Sequence, residues 1–255
     1  MASWNGKYLQ LGSGGWGGTI PPSELIEPLA RGYAVAATDD GHHNQDPLGA
    51  VTPNWATGHP EKVIDFGYRA VHETATQSKR TLQRYFNKPA SRAYFKGCSD
   101  GGREALMEAE RYPEDFDGII AGAPANYWTH HFTGFVWNEL ALNAKPESQI
   151  TPEQLPAIEH AALAACDTLD GVKDGLIEDP RKCHFDPTVL LCRGASGPDC
   201  LTQPQIDTLK QIYAGPKNPR TGEQIYPGYE PGTEGEHGAW LGWILPSMSP
   251  MRSRT

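Results

Sequence analysis

Over the first 125 residues, short apolar runs alternate with longer stretches of helical periodicity. Residues 7–12 (Lys-Tyr-Leu-Gln-Leu-Gly) predict a strand that runs into a glycine-rich turn, Gly12-Ser13-Gly14-Gly15-Trp16-Gly17-Gly18. A helix start is predicted at Pro21-Pro22-Ser23-Glu24, with Leu25, Ile26 and Leu29 on one face. Residues 33–38 are nearly all apolar, as suits a strand inside a parallel sheet. Asp39-Asp40-Gly41 ends that strand, and a polar loop leads to Gly58-His59-Pro60-Glu61. Residues 61–86 predict a helix, with Val63, Phe66, Ala70, Val71 and Leu82 among its apolar positions. A strand over 92–97, a helix from Gly102 to Tyr112 and a strand over 117–122 follow. Such alternation predicts an α/β fold with a mostly parallel sheet.

Near residue 126 the pattern changes. Strand signals become scarce, and Pro, Gly and Cys accumulate. The expected division is therefore 1–125 and 126–255, with no internal repeat. Composition agrees with a loop-rich second half: 28 Gly, 22 Pro and only 38% hydrophobic residues. The net charge is −9 without basic runs, which argues against nucleic acid or an anionic membrane as partner. No apolar run reaches the roughly 18 residues of a membrane-spanning helix. Residues 1–6 show neither a charged nor an apolar leader region, so no signal peptide is visible.

Cysteine placement adds a compartment. Of Cys98, Cys166, Cys183, Cys192 and Cys200, four fall in the Gly/Pro-rich half and none shows CxxC spacing. That pattern disfavours zinc and favours disulfides, hence an oxidising, secreted or periplasmic location. Neighbours along the chain would pair as Cys166–Cys183 and Cys192–Cys200, leaving Cys98 as the free thiol.

The strongest chemical signal is Gly97-x-Ser99-x-Gly101 between a predicted strand and a predicted helix, the context a nucleophile elbow requires. The turn projects the Ser99 hydroxyl from the top of the sheet. The Asp100 amide, at the helix start, can face a developing oxyanion. A tight strand-to-helix turn with an ordinary serine is the structural alternative.

Gly97-Cys98-Ser99-Asp100-Gly101-Gly102-Arg103-Glu104-Ala105-Leu106, with Arg111-Tyr112-Pro113 and Phe116-Asp117-Gly118-Ile119-Ile120-Ala121-Gly122-Ala123-Pro124-Ala125, resembles the tannase/feruloyl esterase family. Trp55-Ala56-x-Gly58-His59-Pro60 and Asp65-Phe66-Gly67-Tyr68-Arg69-Ala70 strengthen the resemblance, which runs from about Trp4 to about Trp240. It implies an α/β-hydrolase core with an inserted lid domain, and hydrolysis of small aromatic-acid esters through an acyl-enzyme. It also implies that Cys98 pairs with a cysteine beside the catalytic histidine.

Gly12-x-Gly14-x-x-Gly17 formally matches a dinucleotide fingerprint, with Asp39 at a suitable distance, which would make the chain a nicotinamide-dependent oxidoreductase. In that fold the helix begins within the glycines. Here Thr19-Ile20-Pro21-Pro22 intervene, so the turn reads better as an oxyanion loop, with Gly14 or Gly15 donating the second amide.

Cys166-Asp167-Thr168-Leu169-Asp170-Gly171-Val172-Lys173-Asp174-Gly175-Leu176 sets three carboxylates in a tight turn. Such carboxylates repel unless a cation compensates, and hard oxygen ligands suit calcium. The spacing is not that of an EF-hand. The resemblance implies Ca²⁺ held by Asp167, Asp170 and Asp174 with the carbonyls of Val172 and Leu176.

A serine hydrolase also needs a histidine base and an orienting acid. After Ser99 the histidines are His130, His131, His160, His184 and His237, all expected to be lid or surface residues. The family histidine is followed by cysteine, and no His-Cys dipeptide occurs. The expectation is a chain truncated inside the lid, with an atypical tail from about residue 246 and a shortened start. An inactive calcium-binding fragment, or an aromatic-ester binding module, is the alternative.

Overall fold

The computed structural model describes residues 4–20, 22–43, 52–236 and 238–245. It divides into two compact units, Met1–Tyr127 and Trp128–Thr255.

In the first unit, β1 (Lys7–Leu11), β2 (Ala34–Ala37), β3 (Arg92–Cys98) and β4 (Gly118–Gly122) form a parallel sheet in the order β2-β1-β3-β4. Tyr8 lies opposite both Ala34 and Ala93, and Tyr94 lies opposite Gly118. Helix α1 (Pro22–Ala30) connects β1 to β2. Helices α2 (Pro60–Ile64) and α3 (Ala70–Phe86) connect β2 to β3, and α4 (Asp100–Arg111) connects β3 to β4. The first crossover steps one way across the sheet and the next two step the other way. Right-handed crossovers then place α1 on one face and α3 and α4 on the opposite face.

The α3/α4 face carries the core. Tyr8, Ala93 and Phe95 from the strands meet Val71 and Ala75 of α3 and Ala105 of α4. The α1 face is open: Leu9, Leu11, Tyr94, Lys96 and Ile120 line a cleft of about 1320 Å³. Strand burial on both faces, expected from the apolar run at 33–38, is thus only partial, and all four residues of β2 are half-buried. Ile26 and Leu29 of α1, expected to lie on one face with Leu25, are 65% and 49% exposed. The helix packs beside β2, where the sheet ends, so little surface is available to cover them.

Residues 61–86 are one helical run interrupted by a π-helical turn, Asp65–Arg69. Helix α4 starts at Asp100, two residues before the predicted start. Its first glycines are poor helix formers but are required by packing. A Cβ on Gly101 would stand 2.8 Å from the Ser13 carbonyl oxygen, and one on Gly102 2.4 Å from that of Gly122.

The second unit consists of α5 (Trp128–Leu142), α6 (Leu155–Cys166), α7 (Gln203–Ala214) and the short α8 (Trp240–Trp243) with long connections. Among the described residues its only β-structure is two isolated bridges. Leu142, Ile158, Ile206, Leu209, Ile212 and Trp240 anchor its core. A buried amide pair braces it, with Gln205 Nε2 donating to Gln154 Oε1 at 2.8 Å and to the Gln149 carbonyl at 2.7 Å. Disulfides join Cys166 to Cys183 and Cys192 to Cys200. Cys98, in the first unit, is a free and exposed thiol.

Candidate functional site

Chain direction across the sheet reverses between β1 and β3. In an open parallel sheet, that reversal opens a crevice at the carboxyl ends of the two strands. The glycine turn leaves β1 there and Ser99 leaves β3 there.

Ser99 has φ 61° and ψ −117°, a conformation that costs energy for an L-residue. The surrounding backbone holds it: the Ser99 amide donates to Gly122 O at 3.0 Å, and its carbonyl accepts from Arg103 N at 3.1 Å and Ala125 N at 3.0 Å. A Cβ on Gly97 would come within 2.1 Å of the Gly101 carbonyl oxygen, so only glycine permits this close turn. Ser99 is half-buried, and among the described residues no side chain hydrogen-bonds to its hydroxyl. Asp100 opens α4, at the end where helix N–H groups lack intrahelical partners.

The glycine turn is tied directly to this helix start. Gly101 N donates to Ser13 O at 3.0 Å, and Ser13 N donates to Glu104 Oε2 at 3.0 Å. Ser13 Oγ lies 2.8 Å from Glu104 Oε1 and 3.0 Å from Asp100 Oδ2. Arg103 binds Asp100 through Nε at 2.5 Å and reaches the carbonyls of Phe66 and Gly67. Gly14 has open space around it, whereas Gly15 takes φ 61°. At the far end of the turn, His42 Nε2 lies 2.9 Å from Trp16 O and its Nδ1 3.2 Å from Asp40 O.

Beneath the turn, Asp40, Asp100 and Glu104 are all fully buried, with carboxylate oxygens within 4.8 Å of one another. Burial raises Glu104 well above the usual carboxylate range and pushes Asp40 up to about 6, each aided by its carboxylate neighbours. This cluster escaped the sequence reading. Its signal was present: Asp100, Arg103 and Glu104 share one helix face at spacings of three and four.

A second cluster lies between α3 and α4. His72 Nδ1 is 2.6 Å from Asp115 Oδ2, and Lys79 Nζ reaches the Asp115 carbonyl. Both oxygens of the fully buried Glu108 lack a hydrogen-bond partner among the described residues. Burial, with Asp115 nearby, pushes its carboxyl up to about 8.

In the second unit, the three aspartates occupy one turn bracketed by Cys166 and Cys183. Asp167 Oδ1 accepts from Asp174 N and Gly175 N, Asp170 Oδ1 from Val172 N, and Asp174 Oδ1 from Leu176 N. Among the described residues, the groups of three His, Asp or Glu side chains whose ligand atoms gather within 4.8 Å are those of the first unit. His131 Nδ1 bonds Tyr226 OH at 3.1 Å amid Phe132 and Phe135, and burial lowers its pKa. His130 is half-buried on α5, and His160 and His184 are exposed. His237 and the residues from 246 onward lie outside the described residues, as does Pro21. No helix begins inside the glycine turn, as a dinucleotide site would need; α1 starts at Pro22.

A strand–turn–helix elbow at the switch point of a parallel sheet, beside a glycine loop, defines an α/β fold. The chain belongs to the tannase and feruloyl esterase family, whose model matches residues 1–251. It is 46% identical over 243 residues to an uncharacterized esterase of Xanthomonas campestris, covering 95% of this chain and 42% of that protein. It is 31% identical to the mono(2-hydroxyethyl) terephthalate hydrolase of Piscinibacter sakaiensis, covering 97% of this chain and 47% of that protein. The crystal structure of feruloyl esterase B from Aspergillus oryzae superposes with a TM-score of 0.80 at 29% identity, covering 95% of this chain and 48% of that one. The chain therefore spans less than half the length of these relatives.

Proposed function

We propose that this chain carries the nucleophile of a secreted or periplasmic carboxylic ester hydrolase acting on small aromatic-acid esters. The observation that carries this reading is the strained backbone of Ser99 at the switch point, facing a glycine loop tied to the start of α4. Ser99 Oγ attacks the ester carbonyl carbon and gives its proton to a general base. The carbonyl electron pair moves onto oxygen, where the Asp100 amide and an amide of Gly14 or Gly15 stabilise it. Collapse of this intermediate expels the alcohol and leaves an acyl-enzyme, which water hydrolyses. We assign the base and its orienting acid to the part of the relatives' length outside the span shared with this chain. The aromatic acyl group is inferred from relatives named for feruloyl and terephthalate esters.

The second unit is proposed as a lid stabilised by two disulfides and calcium. Asp167, Asp170 and Asp174 supply hard oxygen ligands, and each keeps its Oδ2 outside the hydrogen bonds that order the turn. The carbonyls of Val172 and Leu176, both on exposed residues, complete the proposed set. Disulfides fit an oxidising compartment. Among the described residues no helix is long and apolar enough to cross a membrane.

A Ser99 hydroxyl with no side-chain partner among the described residues favours a second reading, a chain that binds aromatic esters without turnover. A fluorophosphonate probe followed by peptide mapping tests the first. Adduct at Ser99, abolished by Ser99→Ala, is expected; labelling elsewhere, or unchanged in the variant, refutes it. Binding of an aromatic ester with no acyl burst and no adduct supports the second.

A further inference from the structure

We infer that Ser13 and Glu104 are positioning residues for acyl transfer, clamping the glycine loop onto the elbow so that its amides face the oxygen of an ester at Ser99. The inference rests on the proposed role of Ser99.

The glycines of the loop, Gly12, Gly14, Gly15, Gly17 and Gly18, contribute no side chains to holding its shape. Glycine also loses the most freedom on ordering. Donors that stabilise an oxyanion must nevertheless stand ready before the charge develops. Ser13 is the one residue among Gly12–Gly15 with a side chain, and it connects to the elbow through its amide, hydroxyl and carbonyl. Glu104 receives two of these links and is fully buried. The fit leaves no slack: a Cβ on Gly12 would stand 2.7 Å from both Glu104 Oε2 and Gly101 Cα.

Hydrogen-bond polarity also identifies the form of Glu104 that closes the clamp. Ser13 N–H needs an acceptor, which is Glu104 Oε2. The single hydroxyl proton of Ser13 serves Asp100 Oδ2, on the carboxyl whose two oxygens also accept from Arg103. Ser13 Oγ is then the acceptor for a proton on Glu104 Oε1. A neutral Glu104 thus donates to Ser13, and Ser13 donates to Asp100. The charge balance agrees. Arg103 neutralises one of three buried carboxyls, and full ionisation would leave two uncompensated charges in a dry site. The charged and titratable groups facing Glu104 are Asp40, Asp100 and Arg103, with His42 behind Asp40. The oxygens of Asp100 and Glu104 are engaged by Arg103 and Ser13, which ties these two carboxyls into a hydrogen-bonded brace, whereas neither oxygen of Asp40 has a hydrogen-bond partner among the described residues.

Labelling kinetics with a fluorophosphonate test the clamp in the full 255-residue chain. In that reaction the Ser99 Oγ–P bond forms, the P–F bond breaks, fluoride departs, and the serine proton passes to solvent. The developing charge on the phosphoryl oxygen uses the same donors as an ester oxyanion. Removing one such donor typically costs about 10²–10³-fold in rate. Loosening the loop through Ser13→Ala or Glu104→Ala is expected to lower the limiting labelling rate about 10-fold or more, with the half-saturating probe concentration little changed. Glu104→Gln keeps an acceptor for Ser13 N–H and a donor for Ser13 Oγ, and is expected to stay within about 3-fold of the parent. Circular dichroism and melting accompany each variant. Should Glu104→Ala fail to fold, Ser13→Ala, which deletes a single oxygen, decides. Parental rates in a folded Ser13→Ala chain, or equal loss in Glu104→Gln and Glu104→Ala, overturn the clamp while leaving Ser99 as nucleophile. Labelling undiminished by Ser99→Ala overturns the nucleophile assignment, and the clamp with it.

Discussion

Removing the Cys166–Cys183 disulfide tests the proposed lid, because that bridge both closes a loop and brackets the proposed calcium turn. The two bridges span 17 and 8 residues. In the chain-entropy model these loops contribute about 3 and about 2.5 kcal/mol respectively. Cys166 and Cys183 are also buried, at 3% and 9% exposure, so their replacement costs packing as well. For a unit of the size of Trp128–Thr255, unfolding entropy near 2.1 cal/mol/K per residue converts 3 kcal/mol into a melting shift of about 11 °C. The assay is calorimetry on Cys166→Ala/Cys183→Ala and on Cys192→Ala/Cys200→Ala, each with calcium and with chelator. Calcium at 100 times its Kd should stabilise the parent by about 2.7 kcal/mol, since it binds only the folded turn. The first double variant should melt lowest and lose most of the calcium-dependent shift; the second should keep that shift. A larger loss in Cys192→Ala/Cys200→Ala, or equal calcium shifts in both, would refute the reasoning. The absence of any shift in metal-free parent would remove calcium itself.

Two further outcomes are expected. The buried Glu108 keeps its proton up to about pH 8 in the folded chain, whereas an ordinary glutamate loses it near 4.5. The folded state binds more protons across that window, so stability falls as pH rises through it. Asp40 and Glu104 act with the same sign, so the difference made by Glu108→Gln isolates Glu108: melting should drop less between about pH 5.5 and 8.5 in the variant, and an equal drop would refute the assignment. Gly102→Ala sets a Cβ 2.4 Å from Gly122 O and 2.8 Å from Pro124 Cα, both unyielding backbone, and should cost about 1–3 kcal/mol in chemical denaturation. Gly14→Ala meets nothing within 4 Å and should cost under about 1 kcal/mol, so equal losses would count against the packing described.

Local patterns along the chain determined much of this protein. Alternating apolar runs and helical periods predicted four parallel strands within a residue or two, because side-chain period and strand length are local properties. Gly97-x-Ser99-x-Gly101 marked the elbow, since its glycines answer contacts that any such turn imposes. The cysteines marked their partners through short loops. Tertiary structure alone decided which faces are covered. Ile26 and Leu29 read as one apolar face of a helix, yet α1 lies at the edge of the sheet and leaves them exposed. It also brought together Ser13, Asp40, Asp100 and Glu104, contributed by three separate segments. Burial of a charge depends on what surrounds it in space, so the carboxyl cluster beneath the glycine loop emerged only when strand order placed β1 beside β3.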